Sequence, residues 1–207
     1  MMRRLPLGCF TAVLIAGSAA VLIPARSETA QPSPKISRKS SQSCARKVQK
    51  LEDFAAKKQP RGRQTIRFSE EEVNSFLAYD LSSDYHPCLK SLVFKMEGGP
   101  VQASALIDFD QLAMASKQFL TRLIAGMFRG QHTLTMRGKI IAQEGKAHFE
   151  LERAVFDETG LPNVLVEEII STVGNRQKPP FDPLQPSEMP YGIEKVVFYQ
   201  GYIVVHQ

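Results

Sequence analysis

The chain has 207 residues, 43% hydrophobic and 23% charged, with 13 Gly, 13 Pro, 12 Phe and no Trp, which excludes collagen-like, coiled-coil and wholly disordered chains. Its formal charge of +5 is unevenly spread. The first sixty or so residues do not read as globular, which leaves one domain of about 145 residues, an ordinary size, and no room for two catalytic domains.

Met1-Met2-Arg3-Arg4 is a positive n-region, and Leu5 to Ile23 is an uncharged run of 19 residues ending before Pro24. This is the pattern of an export signal, with small residues that suit cleavage after Ala20 or after Ser27. As a helix the run would reach roughly 28 Å, near the hydrocarbon thickness of a bilayer. Residues 1–27 are therefore either a removed signal peptide or an N-terminal membrane anchor with its positive end in the cytoplasm. Both put the remainder outside the cytoplasm, in the periplasm or an equivalent extracytoplasmic space. Cys9 precedes most of the apolar run, the wrong order for lipid attachment.

Residues 28–43 are rich in Ser, Pro and Lys and read as a disordered tether, and 44–62 as a basic amphipathic helix. Val48, Leu51, Phe54 and Ala55 share one stripe of that helix, and Gln59-Pro60-Arg61-Gly62 stops it. Eleven basic residues from Lys35 to Arg67 face only Glu52 and Asp53, whereas Phe68 to Gln207 carry 12 basic and 18 acidic residues. An exported chain rarely meets nucleic acid, so the partner expected for Lys35, Arg38, Lys39, Arg46, Lys47, Lys50, Lys57 and Lys58 is an anionic membrane surface. There each cation contributes about 1 kcal/mol. The alternative is a solvated linker that keeps the domain soluble.

The folded domain is expected over 63–207. Gln64 to Phe68 is a strand candidate. Phe68-Ser69-Glu70-Glu71-Glu72-Val73 then combines a capping box (Ser69, Glu72), a hydrophobic staple (Phe68, Val73) and three acids at the positive end of a helix. Val73, Phe76 and Leu77 form its apolar face, and Asn74 reads as structural. Beyond Tyr79 the period becomes two. Leu89 to Met96 and Val101 to Phe109 flank Gly98-Gly99-Pro100. Thr133 to Ala142 and Lys146 to Phe156 flank Glu144-Gly145, with Leu134 and Met136 expected opposite Phe149 and Leu151. Ile193 to Tyr199 and Tyr202 to His206 flank Gln200-Gly201.

Two helices are expected to cover the sheet. Gln111 to Phe128 carries Leu112, Ala115, Phe119, Leu123 and Met127 on a wide stripe, and Asn163 to Gly174 offers Leu165, Val166, Ile169, Ile170 and Val173. Lys178 to Pro190, with five prolines in 13 residues, reads as an extended surface segment. The fold class is α+β: a strongly curved antiparallel sheet, built from successive hairpins, wrapping one or two apolar helices.

Cys44 and Cys88 form an even pair in an oxidising compartment, and one disulfide is expected. Nothing points to an enzyme. His86, His132, His148 and His206 lack metal-ligand spacing, so neither a metal nor another cofactor is expected. No Gly-x-Ser-x-Gly elbow occurs, Glu150 and Glu152 fall on the solvent face of a strand, and Gly98, Gly99 and Gly138 suit turns and bulges.

An export signal, a Ser-Glu-x-Glu-Val-Asn helix start (Ser69 to Asn74), successive long hairpins, an apolar helix after Gly160-Leu161-Pro162, and Met189-Pro190-Tyr191-Gly192-Ile193 before a closing hairpin occur here in order. In this the region from Phe68 to Gln207 resembles small exported bacterial proteins of the tubular lipid-binding (TULIP-like) type. The resemblance implies a curved sheet around a long helix with acyl chains held between them, hence non-enzymatic binding or transfer of a lipid-like ligand at the cell envelope. The apolar residues proposed to line that space are Phe76, Leu77, Ile107, Phe109, Phe119, Leu123, Met127 and Phe128. The alternative function is a membrane-tethered interaction or scaffold module with a filled core.

Overall fold

The computed structural model describes residues 34–57, 62–85, 87–111, 129–157, 159–160, 163–164, 166–167 and 182–207. The segment 1–27, Lys58, all but the first residue of the helix expected over 111–128 and most of that at 163–174 lie outside the described residues. Within them the chain is α+β with antiparallel strands. Helix α1 (Arg38–Ala55) precedes β1 (Thr65–Ser69) and α2 (Glu70–Phe76), and a π-helical turn (Leu77–Leu81) continues α2. Then follow β2 (Leu89–Met96), β3 (Pro100–Asp108), β4 (Gln131–Gln143), β5 (Lys146–Phe156), and the two-residue strands β6 (Thr159–Gly160) and β7 (Ser187–Glu188). The closing hairpin is β8 (Lys195–Tyr199) and β9 (Tyr202–His206). No helix among the described residues is long and apolar enough to cross a membrane.

The hairpins fall into two sheets rather than one. The larger runs β2-β3-β4-β5-β6 with β7 also on β5, and the smaller is β1-β9-β8. Among the described residues a single bridge, between Glu97 and Gln200, links them, beside a bond from the Gly201 N–H to the Met96 carbonyl. Each sheet has its own apolar cluster. Phe94, Ala105, Leu134, Phe149 and Phe156 centre one, and Leu51, Phe68, Ile203 and Val205 the other, with Val73, Phe76 and Phe198 packed against both.

Helix α2 starts as its sequence dictates: Ser69 Oγ accepts from the Glu72 N–H at 3.1 Å and Glu72 Oε2 from the Ser69 N–H at 2.8 Å. The staple partners Phe68 and Val73 meet in the second cluster. Less expected, α2 also buries two polar residues, Asn74 and Ser75. Asn74 runs along the open edge of β2, accepting from the Phe94 N–H and donating to its carbonyl, both at 2.7 Å. Glu70 Oε2 accepts from the Met96 N–H at 2.6 Å. Side chains thus satisfy an edge that would otherwise present unpaired backbone.

Three further expectations need correction. The tether does not extend to Ser43: α1 begins at Arg38, with Ser37 as its N-cap. Its serines dock on acids some thirty to forty residues away, Ser40 on Glu71 at 2.7 Å, Ser43 on Glu72 at 2.6 Å and Ser41 on Asp80. The second hairpin has a different register: the two-residue turn pairs Gln143 with Lys146, and a bulge after Arg137 sets Leu134 opposite Phe156 and Met136 opposite Ala154. Finally, no disulfide joins Cys44 to Cys88. Cys44 is buried in the cluster under α1 and Cys88 packs on the other cluster, so the two thiols belong to separate cores. Burial, reinforced by the charge of Glu72, pushes the Cys44 thiol up to about 12, which makes it a poor nucleophile.

The proline-rich segment is also more than a surface strap. The Pro183 carbonyl accepts from the Phe149 N–H at 2.7 Å and Ser187–Glu188 pairs with Lys146–Ala147, so the segment covers the outer edge of β5.

Candidate functional site

Strand alternation aims Val196 and Phe198 of β8 and Ile203 and Val205 of β9 to one face of the small sheet. Opposite them stand Phe94, Met96 and Val101 of the first hairpin and Ile140, Ala142 and Ala147 of the second. Between the two groups lies a cavity of about 140 Å³, lined also by Val73 of α2 and by the Ser187–Pro190 segment with Ile193. Among the described lining residues only Ser187 and Glu188 carry polar side chains. The space exists because Ala142 and Ala147 are cross-strand partners, whereas the next inward pair is Ile140 with Phe149. Two methyl groups meet where two large side chains would fill the gap between the sheets.

The chemistry such a space offers is desolvation. An apolar space close to 150 Å³ accepts a benzene-sized group, while pockets for drug-sized ligands begin at about 300 Å³. The cavity therefore suits a slender apolar group, such as the end of an alkyl chain.

Of the residues expected to line a ligand site, Leu77, Ile107 and Phe109 are buried within the larger cluster and Phe76 packs between the two clusters. None of the four is among the described residues that line the cavity. Phe119, Leu123, Met127 and Phe128 lie outside the described residues. Most of the residues that do line it were legible as hairpin strands, and the Ala142–Ala147 pair across Glu144-Gly145 was the available signal of missing volume.

The basic arm is split by the fold. Lys35, Arg38, Lys39, Arg46, Lys50 and Lys57 are exposed, with Arg38 stacked over the Tyr79 ring at 5.0 Å. Lys47 is half-buried and committed, donating to Glu72 at 2.6 Å and to the Arg67 carbonyl at 2.7 Å. Burial works against the Glu72 carboxylate, yet its bonds from Lys47, Ser43 and the Ser69 N–H hold its pKa below the usual carboxylate value.

A second polar constellation stands at the far end of the larger sheet. His132 stacks on Phe156 at 4.9 Å, and its Nδ1 lies 2.6 Å from Asp157 Oδ2 and its Nε2 2.9 Å from the Arg129 carbonyl. Both partners are acceptors, so both ring nitrogens donate and the imidazolium is the favoured form. The bond to Asp157 raises the His132 pKa. Asp157 is disfavoured as an anion by burial, but the bonds from His132 and the Thr133 N–H lower its pKa on balance. A raised folded-state pKa contributes stability that is complete below the ordinary histidine value of about 6.5 and disappears as pH rises through the folded value. Thermal unfolding followed from pH 6 to 8.5 should show a stability decline that His132→Gln removes; an unchanged decline in that variant would assign it elsewhere. Among the described residues no three His, Cys, Asp or Glu side chains gather to hold a metal ion.

Compared with known proteins, the chain matches no family model, no curated protein and no solved structure.

Proposed function

We propose that the protein is a non-enzymatic binder of a lipid-like ligand, exported to the cell envelope, and that the cavity between its two sheets takes the apolar end of an acyl chain. The observation that carries this reading is a space between the two sheets whose described walls are apolar apart from two adjacent residues. Four buried methylenes would contribute about 3 kcal/mol, millimolar affinity by themselves. The rest of an acyl chain must therefore run along further apolar surface. The helix expected over 111–128 supplies it in this proposal through Phe119, Leu123, Met127 and Phe128. That arrangement, a curved sheet wrapping an apolar helix, is the one that the resemblance to tubular lipid-binding proteins implies. The exposed lysines and arginines of α1 would hold the domain near an anionic membrane, the source and destination of such a ligand.

Native mass spectrometry of the purified protein, followed by solvent extraction, tests the reading. A defined adduct that leaves on extraction supports it. An empty protein that takes up no fatty acid or phospholipid rejects it and favours a tethered interaction module. Ala142→Leu places three further carbons in the cavity. It should weaken binding of a fluorescent fatty acid at least tenfold, with a melting temperature within a few degrees of the parent; unchanged affinity would place the ligand elsewhere.

A further inference from the structure

The outer face of the small sheet is a second surface with a chemistry of its own. Register places Arg67, Val204 and Val197 in one cross-strand row and Tyr202 beside Tyr199 in the next, with Lys195 at the far end of β8. The remaining outward positions are Ser, Thr and His, and none is acidic. The Arg67 guanidinium lies 3.6 Å from the centre of the Tyr202 ring, and the Tyr199 and Tyr202 rings stack 4.8 Å apart at 11°. Among the described residues no carboxylate pairs with Arg67 or Lys195. Tyr199 is 42% exposed, one of the few large hydrophobic side chains left in solvent.

We infer that this face docks on an anionic bilayer surface, with Arg67 and Lys195 meeting lipid phosphates and Tyr199 and Tyr202 entering the headgroup layer beside Val197 and Val204. The charge argument is direct: two cations that pair with no carboxylate among the described residues, on a face whose outward strand positions carry no acid, complement a negative surface. Tyrosine rings, apolar in body and polar at the tip, suit the boundary between headgroups and hydrocarbon. Nucleic acid fits less well, because base stacking needs open ring faces. Tyr202 has one face under Arg67 and the other against Tyr199, so only the outer face of Tyr199 is available. The inference goes beyond the cavity reading and needs no ligand inside the protein, so an empty cavity leaves it standing.

The absence of Trp from the chain makes a clean test. Tyr199→Trp in the full-length protein puts a single indole on the face, and Tyr79→Trp puts one beside α1. With phosphatidylglycerol vesicles the indole at position 199 should shift its emission to the blue and become accessible to bilayer-embedded quenchers. The shift should be lost in 1 M salt, where the screening length falls to about 3 Å, and when Arg67→Glu and Lys195→Glu are added. Vesicles of phosphatidylcholine alone should give no shift. The inference is overturned by an unshifted indole at 199 in protein that sediments with the vesicles. A shift at 79 in place of 199 also overturns it, assigning contact to the basic helix. An equal shift with neutral vesicles, or a shift with a single-stranded oligonucleotide and none with vesicles, does the same.

Discussion

Asn74→Ala should cost about 3 kcal/mol, lowering the melting temperature by roughly 10 °C in a domain of this size. The side chain is 2% exposed and makes both of its bonds, each of 2.7 Å, to the backbone of one residue, Phe94. Removing it orphans a buried N–H and a buried carbonyl together, and each unsatisfied group costs about 1–3 kcal/mol. The variant also bares the edge of β2, so the unfolding transition should be accompanied by faster aggregation. Asn74→Asp separates the two bonds. Its carboxylate still accepts from the Phe94 N–H but opposes the Phe94 carbonyl, which raises the carboxyl pKa in the folded state. Stability should then recover in part as the pH falls and the carboxyl becomes a donor. Urea unfolding measured at pH 7 and pH 4 decides the matter. A loss below about 1 kcal/mol for the alanine variant would show that water replaces the amide and that the edge was never sealed.

Gly138→Ala should be as damaging for a different reason. A Cβ at that position would stand 2.3 Å from the Glu150 carbonyl oxygen and 2.5 Å from the Phe149 ring. The ring can turn aside, but the carbonyl belongs to the β4–β5 ladder at the bulge between Arg137 and Gly138. Overpacking of this kind costs about 1–3 kcal/mol and sometimes more; with backbone as the obstacle the upper end is expected. Phe149→Ala, added to Gly138→Ala, should relieve only the ring's share, so the double variant stays less stable than Phe149→Ala alone. Equal stability of those two proteins would identify the ring as the whole obstacle.

Among the described residues of 63–207, α2 and the hairpin strands declared themselves because local rules agree there. The Ser69–Glu72 box, the period-two runs and the Gly-bearing turns each use neighbours within a few positions, and the strands formed within a residue or two of expectation. The start of α1 was hidden because its first turns carry serines in place of an apolar stripe, and the carboxylates that hold them lie on α2. The hairpin register follows from the two-residue turn, which sets Gln143 against Lys146 and so carries the partners of Leu134 and Met136 beyond Leu151; the bulge adds only one residue more to β5. The disulfide failed because parity of cysteines says nothing of which core each thiol joins.

What the sequence determined by itself is the set of pieces: an apolar N-terminal run, a basic helix, an acid-led short helix and three hairpins, all encoded by capping, periodicity and turn chemistry over short range. The tertiary structure alone decided that the hairpins divide between two sheets, that Asn74 seals an edge twenty residues away, and that Ala142 beside Ala147 leaves a cavity under the closing hairpin. Those features depend on which surfaces meet at long range. A packing gap or a sealed edge is a property of two partners, and no local pattern in either of them specifies the other.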